Sequence, residues 1–228
     1  MRSLIDGKTA ILLIGNPGVG KSSILNTLGG NFLSGYSCTS GLTTYVSKQD
    51  VIIDQKPYRL VDMPGIYDSA KEGSSSGDSV TDNHLKMLRE ALNDGHAYVI
   101  FFVISPRNGR VDPSDLAMMQ LVLEKMDNGP TVGLIITQIK ARDLIHIQSP
   151  TYFSRIIQIM KNNNADLRFL TSRGPLVLRD HDEGFSDDDR YHIRSYITKF
   201  TPRQVQIRNM IATALRMLLK LLKMIIFH

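Results

Sequence analysis

Thr9-Ala10-Ile11-Leu12-Leu13-Ile14 runs without a break into Gly15-Asn16-Pro17-Gly18-Val19-Gly20-Lys21-Ser22. Reading these fourteen residues decides the fold. The first six form a nearly continuous apolar run, as expected of a central strand buried on both faces. The next eight match G-x-x-x-x-G-K-[ST], and Ser23 to Leu28 then continue with helical spacing. Glycines let the backbone wrap closely enough for several N–H groups to point inward at phosphate oxygens. A helix starting near Lys21 adds the positive end of its dipole. Lys21 supplies a mobile cation for the phosphates, and the Ser22 hydroxyl is a hard oxygen ligand suited to Mg²⁺. Gly15 through Ser23 are therefore the expected phosphate-contacting residues. A chance glycine-rich turn is the plain alternative, and the strand before it and the helix after it argue against that.

Working outward, Val51-Ile52-Ile53 and Tyr58-Arg59-Leu60-Val61 read as a hairpin turning at Asp54-Gln55-Lys56. The second strand ends in Asp62-Met63-Pro64-Gly65. An acid at the carboxyl end of a strand beside the phosphate loop is expected to hold Mg²⁺, and a glycine three residues later can offer its N–H to a γ-phosphate. Alone, this is a simple Asp–Gly turn. Forty residues after the phosphate loop it favours a guanine-nucleotide switch. Asn31–Thr44 is polar and rich in Gly, Ser and Thr, the composition of a loop. A switch loop needs one hydroxyl for the metal, and Thr43 is the choice, with Thr39 and Thr44 as rivals.

GNPGVGKSS followed by Asn26, the TTYVSK segment, the DMPG-I-Y-D stretch and AYVIFFVISPRNGRVDPSDL resemble the septin-like P-loop GTPases that include the immunity-associated nucleotide-binding (GIMAP) proteins and the Toc receptors. The likeness spans roughly residues 8–145. It implies GTP or GDP as ligand, Mg²⁺ as cofactor, Thr43 as the switch threonine, and Lys21, Thr43 and Gly65 as the residues acting on the γ-phosphate. Ser22, Thr43 and Asp62 become the metal set. Self-association or membrane attachment is implied as well.

Two positions depart from that pattern. The acid that reads guanine normally closes an [NT]-K-x-D motif, whereas here the motif is Thr137-Gln138-Ile139-Lys140, and a lysine cannot accept a hydrogen bond. Thr137 and Gln138 remain candidate base-side residues, with Asp143 as a substitute acid if the loop bulges and an acid near Asp180 as another. The residue after Gly65 is Ile66, which cannot orient water, so intrinsic hydrolysis is expected to be slow. Arg107 and Arg110 lie on a loop that could face a neighbour, or are plain surface arginines. A nucleotide-dependent scaffold with little hydrolysis and an ATP-using P-loop enzyme are the rival functions.

The remaining periodicity predicts helices over Ser79–Asn93, Pro113–Met126 (capped by Asp112) and Thr151–Asn163. It predicts strands over Tyr98–Ile104, Val132–Ile136 and Pro175–Leu178. Strands alternating with helices give an α/β fold, a doubly wound, mostly parallel sheet with ligand at the carboxyl ends of the strands. Lys71–Asp82 is flexible by composition.

Of 27 basic residues, Arg203, Arg208, Arg216, Lys220 and Lys223 fall after residue 200, where there is no acid; the other 22 match the 22 acids of the first 200 residues. The division expected is a G domain over 1–200 and a basic amphipathic helix over 201–228. A stripe coating the domain would point to nucleic acid, and its absence argues against that partner. From Asn209 the polar residues fall three or four apart on one stripe of an otherwise apolar helix. Three cations in a bilayer would each cost about 2.5–3.5 kcal/mol at mid-depth, so an interfacial helix is favoured over a spanning one. Packing on the domain or on a second chain is the alternative. The lone Cys38, with no apolar run before Asp6, suggests a reducing, cytoplasmic setting, peripheral on an intracellular membrane if the tail binds lipid.

Overall fold

The computed structural model describes residues 9–35, 43–65, 86–163, 165–180 and 184–207. Six strands form one sheet in the order β2-β3-β1-β4-β6-β7. These are β1 (Thr9–Ile14), β2 (Ser47–Ile53), β3 (Lys56–Asp62), β4 (Ala97–Ile104), β6 (Val132–Ile139) and β7 (Leu176–Arg179). Only the β2–β3 hairpin is antiparallel; β1 pairs in parallel with β3 and β4, and β6 with β4 and β7. A separate two-stranded ribbon joins β5 (Met126–Asn128) to β8 (Gln206–Ile207).

The uninterrupted apolar run of β1 has a simple cause. Ala10, Leu12 and Ile14 enter one core, and Ile11 and Leu13 enter the other. β4 divides likewise, with Ile100, Phe102 and Ile104 on the first side and Val99, Phe101 and Val103 on the second. The second core is closed by α1 (Lys21–Thr27) through Ile24 and Leu25 and by α6 (Asp187–Ile197) through Ile193 and Ile197. The first is closed by a helical segment at 86–91 (α2), by α3 (Pro113–Lys125), by α4 (Leu144–Ile147) and by α5 (Pro150–Asn162). Helices on both faces make the sheet doubly wound.

Several local expectations shift by a few residues. Asp54 and Gln55, both left-handed at φ 48° and 63°, form a two-residue turn, so Lys56 opens β3 instead of belonging to the turn. β6 runs three residues past Ile136, with a register shift before Ile139 where Gln138 adopts φ 57°. α3 does carry the expected Asp112 cap, whose side chain accepts from Ser114 N. α6 has no counterpart in the sequence expectations. Beyond residue 200 the chain stays on the domain: Tyr98 N donates to Arg203 O at 2.7 Å, Arg203 N to Tyr98 O at 3.0 Å, and β8 pairs with β5. The division drawn at residue 200 therefore falls inside folded structure. The helix expected from Asn209, like Thr39, Ile66 and Lys71–Asp82, lies outside the described residues.

At the amino-terminal edge of the sheet, Asp94 gathers four partners. Lys48 of β2 approaches at 3.1 Å, Arg59 of β3 at 3.6 Å and His96 at 2.9 Å, while the Tyr98 hydroxyl of β4 donates to the same carboxylate. Partial burial would raise this carboxyl, but the Tyr98 hydroxyl, Lys48 and the main-chain N–H of His96 outweigh it and hold it down at about 2. A carboxyl depressed in the folded state stabilises above its unfolded value near 3.9 and loses that contribution as pH falls toward 2. Replacing Asp94 with Asn should cost about 1–2 kcal/mol at pH 7 after solvent screening, and the penalty should shrink as pH falls below 4, to a small fraction of that near pH 2. Denaturant titrations at both pH values check this, and a penalty equal at both would contradict it.

Candidate functional site

β1 ends under a loop whose carbonyls are tied down one after another. Lys21, although a lysine, is only 6% exposed. Its Nζ donates to Gly15 O at 3.0 Å and to Asn16 O at 2.9 Å. Gln138 Nε2 donates to Gly18 O at 2.7 Å, and Thr137 Oγ1 to Val19 O at 2.8 Å. Ile24 N closes the first turn of α1 on Gly20 O at 3.0 Å. Gly18 and Gly20 take φ of 76° and 89°, the left-handed conformation that glycine adopts without a Cβ penalty. Gly15 cannot carry a side chain, because a Cβ would lie 2.3 Å from Val103 O. With the carbonyls held this way, the N–H groups of the loop and of the α1 N-terminus are what it can offer an anion.

Three hard oxygens meet beside Lys21. Ser22 Oγ donates to Asp62 Oδ2 at 2.7 Å, Thr43 Oγ1 donates to the same oxygen at 3.2 Å, and the two hydroxyls are 3.3 Å apart. Asp62 is 2% exposed, and its other oxygen, Oδ1, is buried with no hydrogen-bond partner. Burial pushes the Asp62 carboxyl up, against the opposing pull of Ser22, Lys21 and Thr43. A buried, under-satisfied carboxylate with two hydroxyls is the oxygen donor set that suits Mg²⁺. Thr44 is exposed. Gly65 packs so tightly on the loop that a Cβ there would fall 2.3 Å from Pro17 N. Ser23 lies in the first turn of α1.

The base-side residues divide. Thr137 and Gln138 reach the loop carbonyls, and Gln138 Oε1 also accepts from Ser105 Oγ at 2.7 Å. Next to them opens a cavity of about 330 Å³ lined by Ser105, Arg107, Asn108, Gln138, Lys140, Asp143 and Asp180, among others. Asp143 thus reaches the cavity, although Arg142 Nε approaches its carboxylate at 3.6 Å. Asp180 enters from the end of β7, its N–H donating to Ile139 O at 3.0 Å. Sequence reasoning missed Ser105 and the pairing of Asn16 with Asp115 on α3. Neither carries a local pattern that would have singled it out.

This fold, carrying a glycine-bent phosphate loop on its first strand, defines a P-loop GTPase domain, which binds GTP. The chain belongs to the 50S ribosome-binding GTPase family, whose model matches residues 10–138. Among curated proteins it is similar to the tRNA modification GTPase MnmE of Neisseria meningitidis, 28% identical over 114 residues, which cover 50% of this chain and 23% of that protein. MnmE of Chromobacterium violaceum is 32% identical over 59 residues, 26% of this chain and 13% of that one. The chain thus matches less than a quarter of these relatives' length. Among solved structures the fold resembles Toc33 from Arabidopsis thaliana with GDP and Mg²⁺, at a TM-score of 0.55, 15% identity and coverage of 89% and 88% of the two chains. It also resembles Era in complex with MgGDPNP and a segment of 16S ribosomal RNA, at a TM-score of 0.52, 20% identity and coverage of 85% and 57%. The Toc relationship expected from sequence holds at the level of fold. The MnmE and Era matches lead to other GTPase families.

An acid that reads guanine N1–H and N2–H must accept, so Lys140 cannot serve, and Asp143 and Asp180 are the acids among the described residues that line the cavity. The removal of that acid should cut the preference for GTP over ATP by about 10²-fold, since a buried donor left unpaired costs roughly 1–3 kcal/mol. Competition of ATP and GTP against labelled GDP in Asp143→Ala and Asp180→Ala checks this. If neither variant changes the ratio, the cavity is not the base site.

Proposed function

We propose that this domain is a Mg²⁺-dependent guanine-nucleotide switch that hydrolyses GTP slowly and controls self-association. The convergence of Ser22, Thr43 and Asp62 carries the reading, because it joins the phosphate loop, the switch segment and the end of β3 at one point. In this reading Ser22, Thr43 and Asp62 hold the metal, Lys21 binds the β- and γ-phosphates, and Gly65 offers its N–H to the γ-phosphate. The chemistry that Mg²⁺ supplies when bound is neutralisation of charge on the phosphate oxygens. In this reading Thr43 joins the γ-phosphate side of the site to Asp62, so loss of the γ-phosphate would release it.

Ile66 follows Gly65 where a water-orienting group would be useful, which supports slow turnover by the isolated chain. A second copy of this chain is the partner we favour. Arg107 and Arg110 bracket a tight turn beside the cavity mouth, bonded N–H to carbonyl at 2.9 and 3.0 Å. A Toc33 neighbour is a dimerization-deficient arginine-to-alanine mutant. The balanced charge of the first 200 residues speaks against nucleic acid, although the Era neighbour was solved with ribosomal RNA. The basic stretch from Arg208 supports attachment to an anionic membrane surface in a cytoplasmic setting. A scaffold with no measurable hydrolysis is the second reading, favoured by the same Ile66.

Turnover per molecule should rise with protein concentration over the range where light scattering reports dimers, and Arg107→Ala with Arg110→Ala should flatten that rise. Constant turnover with a measurable rate would contradict switching by self-association, and no turnover at any concentration would favour the scaffold.

A separate expectation concerns pH. A proton competes with Mg²⁺ for Asp62, and burial raises that carboxyl's pKa. The tightening of GDP binding by Mg²⁺ should therefore be full well above the raised value and fade as pH falls through it, at a higher pH than for an ordinary aspartate. Calorimetric titrations with and without Mg²⁺ across pH check this, with Asp62→Asn showing little Mg²⁺ effect at any pH.

A further inference from the structure

Asp115 is a buried acid with no assigned part in binding the nucleotide. It sits in the first turn of α3, three residues after the Asp112 cap, where the helix dipole favours an acid. First-turn acids ordinarily face water, but Asp115 is 2% exposed. Its Oδ1 accepts from Asn16 Nδ2 at 2.6 Å, and the same amide nitrogen donates to Ser114 Oγ at 3.0 Å. Both amide protons of this P-loop residue are thus directed at the start of α3. The main-chain carbonyl of Asn16 meanwhile accepts from Lys21 Nζ at 2.9 Å. One residue therefore connects α3 on its side-chain end to the phosphate-binding lysine on its backbone end. A neutral side chain could satisfy Asn16 without the cost of burying a charge, so an acid here calls for a reason.

We propose that Asp115 is a positioning residue of the phosphate cradle: it fixes the Asn16 side chain, and with it the carbonyl that orients the Lys21 ammonium, so that the start of α3 sets how tightly the nucleotide is held. The inference rests on reading the P-loop as the phosphate site. A charged acceptor makes the Asn16 bond short and strong, and a neutral one makes it ordinary. Burial pushes the Asp115 carboxyl up to about 6; Asp112 adds to the rise, and Asn16, the Ser105 main chain and Arg107 oppose it. The charged groups facing it among the described residues are Asp112 on its own helix and Arg107 after β4. Asp112 keeps its charge between pH 5.5 and 7.5, since Ser114 holds it below the ordinary aspartate range.

The test follows release of a fluorescent GDP analogue from the full chain in chelator, so that the metal role of Asp62 drops out. At pH 7.5, D115N should release GDP about fivefold faster than wild type, the difference expected between charge-assisted and neutral bonds. The β-phosphate of GDP, which titrates at about 6, gives both proteins a common pH trend, so the readout is the ratio of the two rates: the roughly fivefold excess of D115N at pH 7.5 should shrink toward one as pH falls to 5.5. The double variant N16A/D115A should release no faster than N16A alone, because Asp115 acts through Asn16. Additive effects in the double variant, or a D115N-to-wild-type ratio that does not change with pH, would overturn the proposal. If D115A fails to fold, the pH dependence of that ratio alone decides. Failure of wild type to bind GDP would instead remove the P-loop reading itself.

Discussion

The burial of Lys21 is the constraint around which this domain is organised. A lysine with 6% exposure must place its ammonium against acceptors, among them the carbonyls of Gly15 and Asn16. That requirement bends the loop back over the start of α1. β1 then has to arrive from directly beneath, buried on both faces, with β3 and β4 pairing at its sides. Thr137 and Gln138 complete the arrangement by reaching from β6 to the carbonyls of Val19 and Gly18. Three elements that are far apart in sequence thus share responsibility for one eight-residue loop. The positioned Lys21 ammonium and the inward amides are what the loop can offer an anion.

The same economy places the chemistry at the carboxyl ends of the strands. Asp62 ends β3, Ser105 follows β4, and Gln138 sits on the bulge of β6. The opposite end of the sheet, closed by the Asp94 cluster, is tuned for stability. Asp94 precedes β4, at the end of that strand away from the site, while its partner Lys48 pairs with Val61 beside Asp62, so the two clusters share the β2–β3 hairpin.

Much of this was legible before any coordinates. The β1 run, the phosphate loop and Asp62 announce themselves because each depends on local spacing, and Thr43 followed from the family's spacing to Asp62. The Lys140 departure was equally visible. Other features depend on tertiary placement. The acidic DDDRYHIRSYI of α6 looks solvated until Ile193 and Ile197 are seen entering the core, although the Ser186–Asp189 capping box marks its start. The two-residue β8 is too short to carry a period, so the joining of residues 201–207 to the domain could not be read from composition. The Asn16–Asp115 contact spans 99 positions, and nothing local to either residue predicts it. Sequence also could not decide between Asp143 and Asp180, because the β6 bulge and the end of β7 bring both to one cavity.

The central claim is that the loop gripped by Lys21 is where guanine nucleotide binds. Calorimetric titration of GDP into wild type and Lys21→Ala, with the thermal melt of each recorded alongside, tests it most directly. The account predicts saturable binding by wild type and none measurable by a variant that still melts cooperatively. Near-wild-type affinity in Lys21→Ala would contradict it.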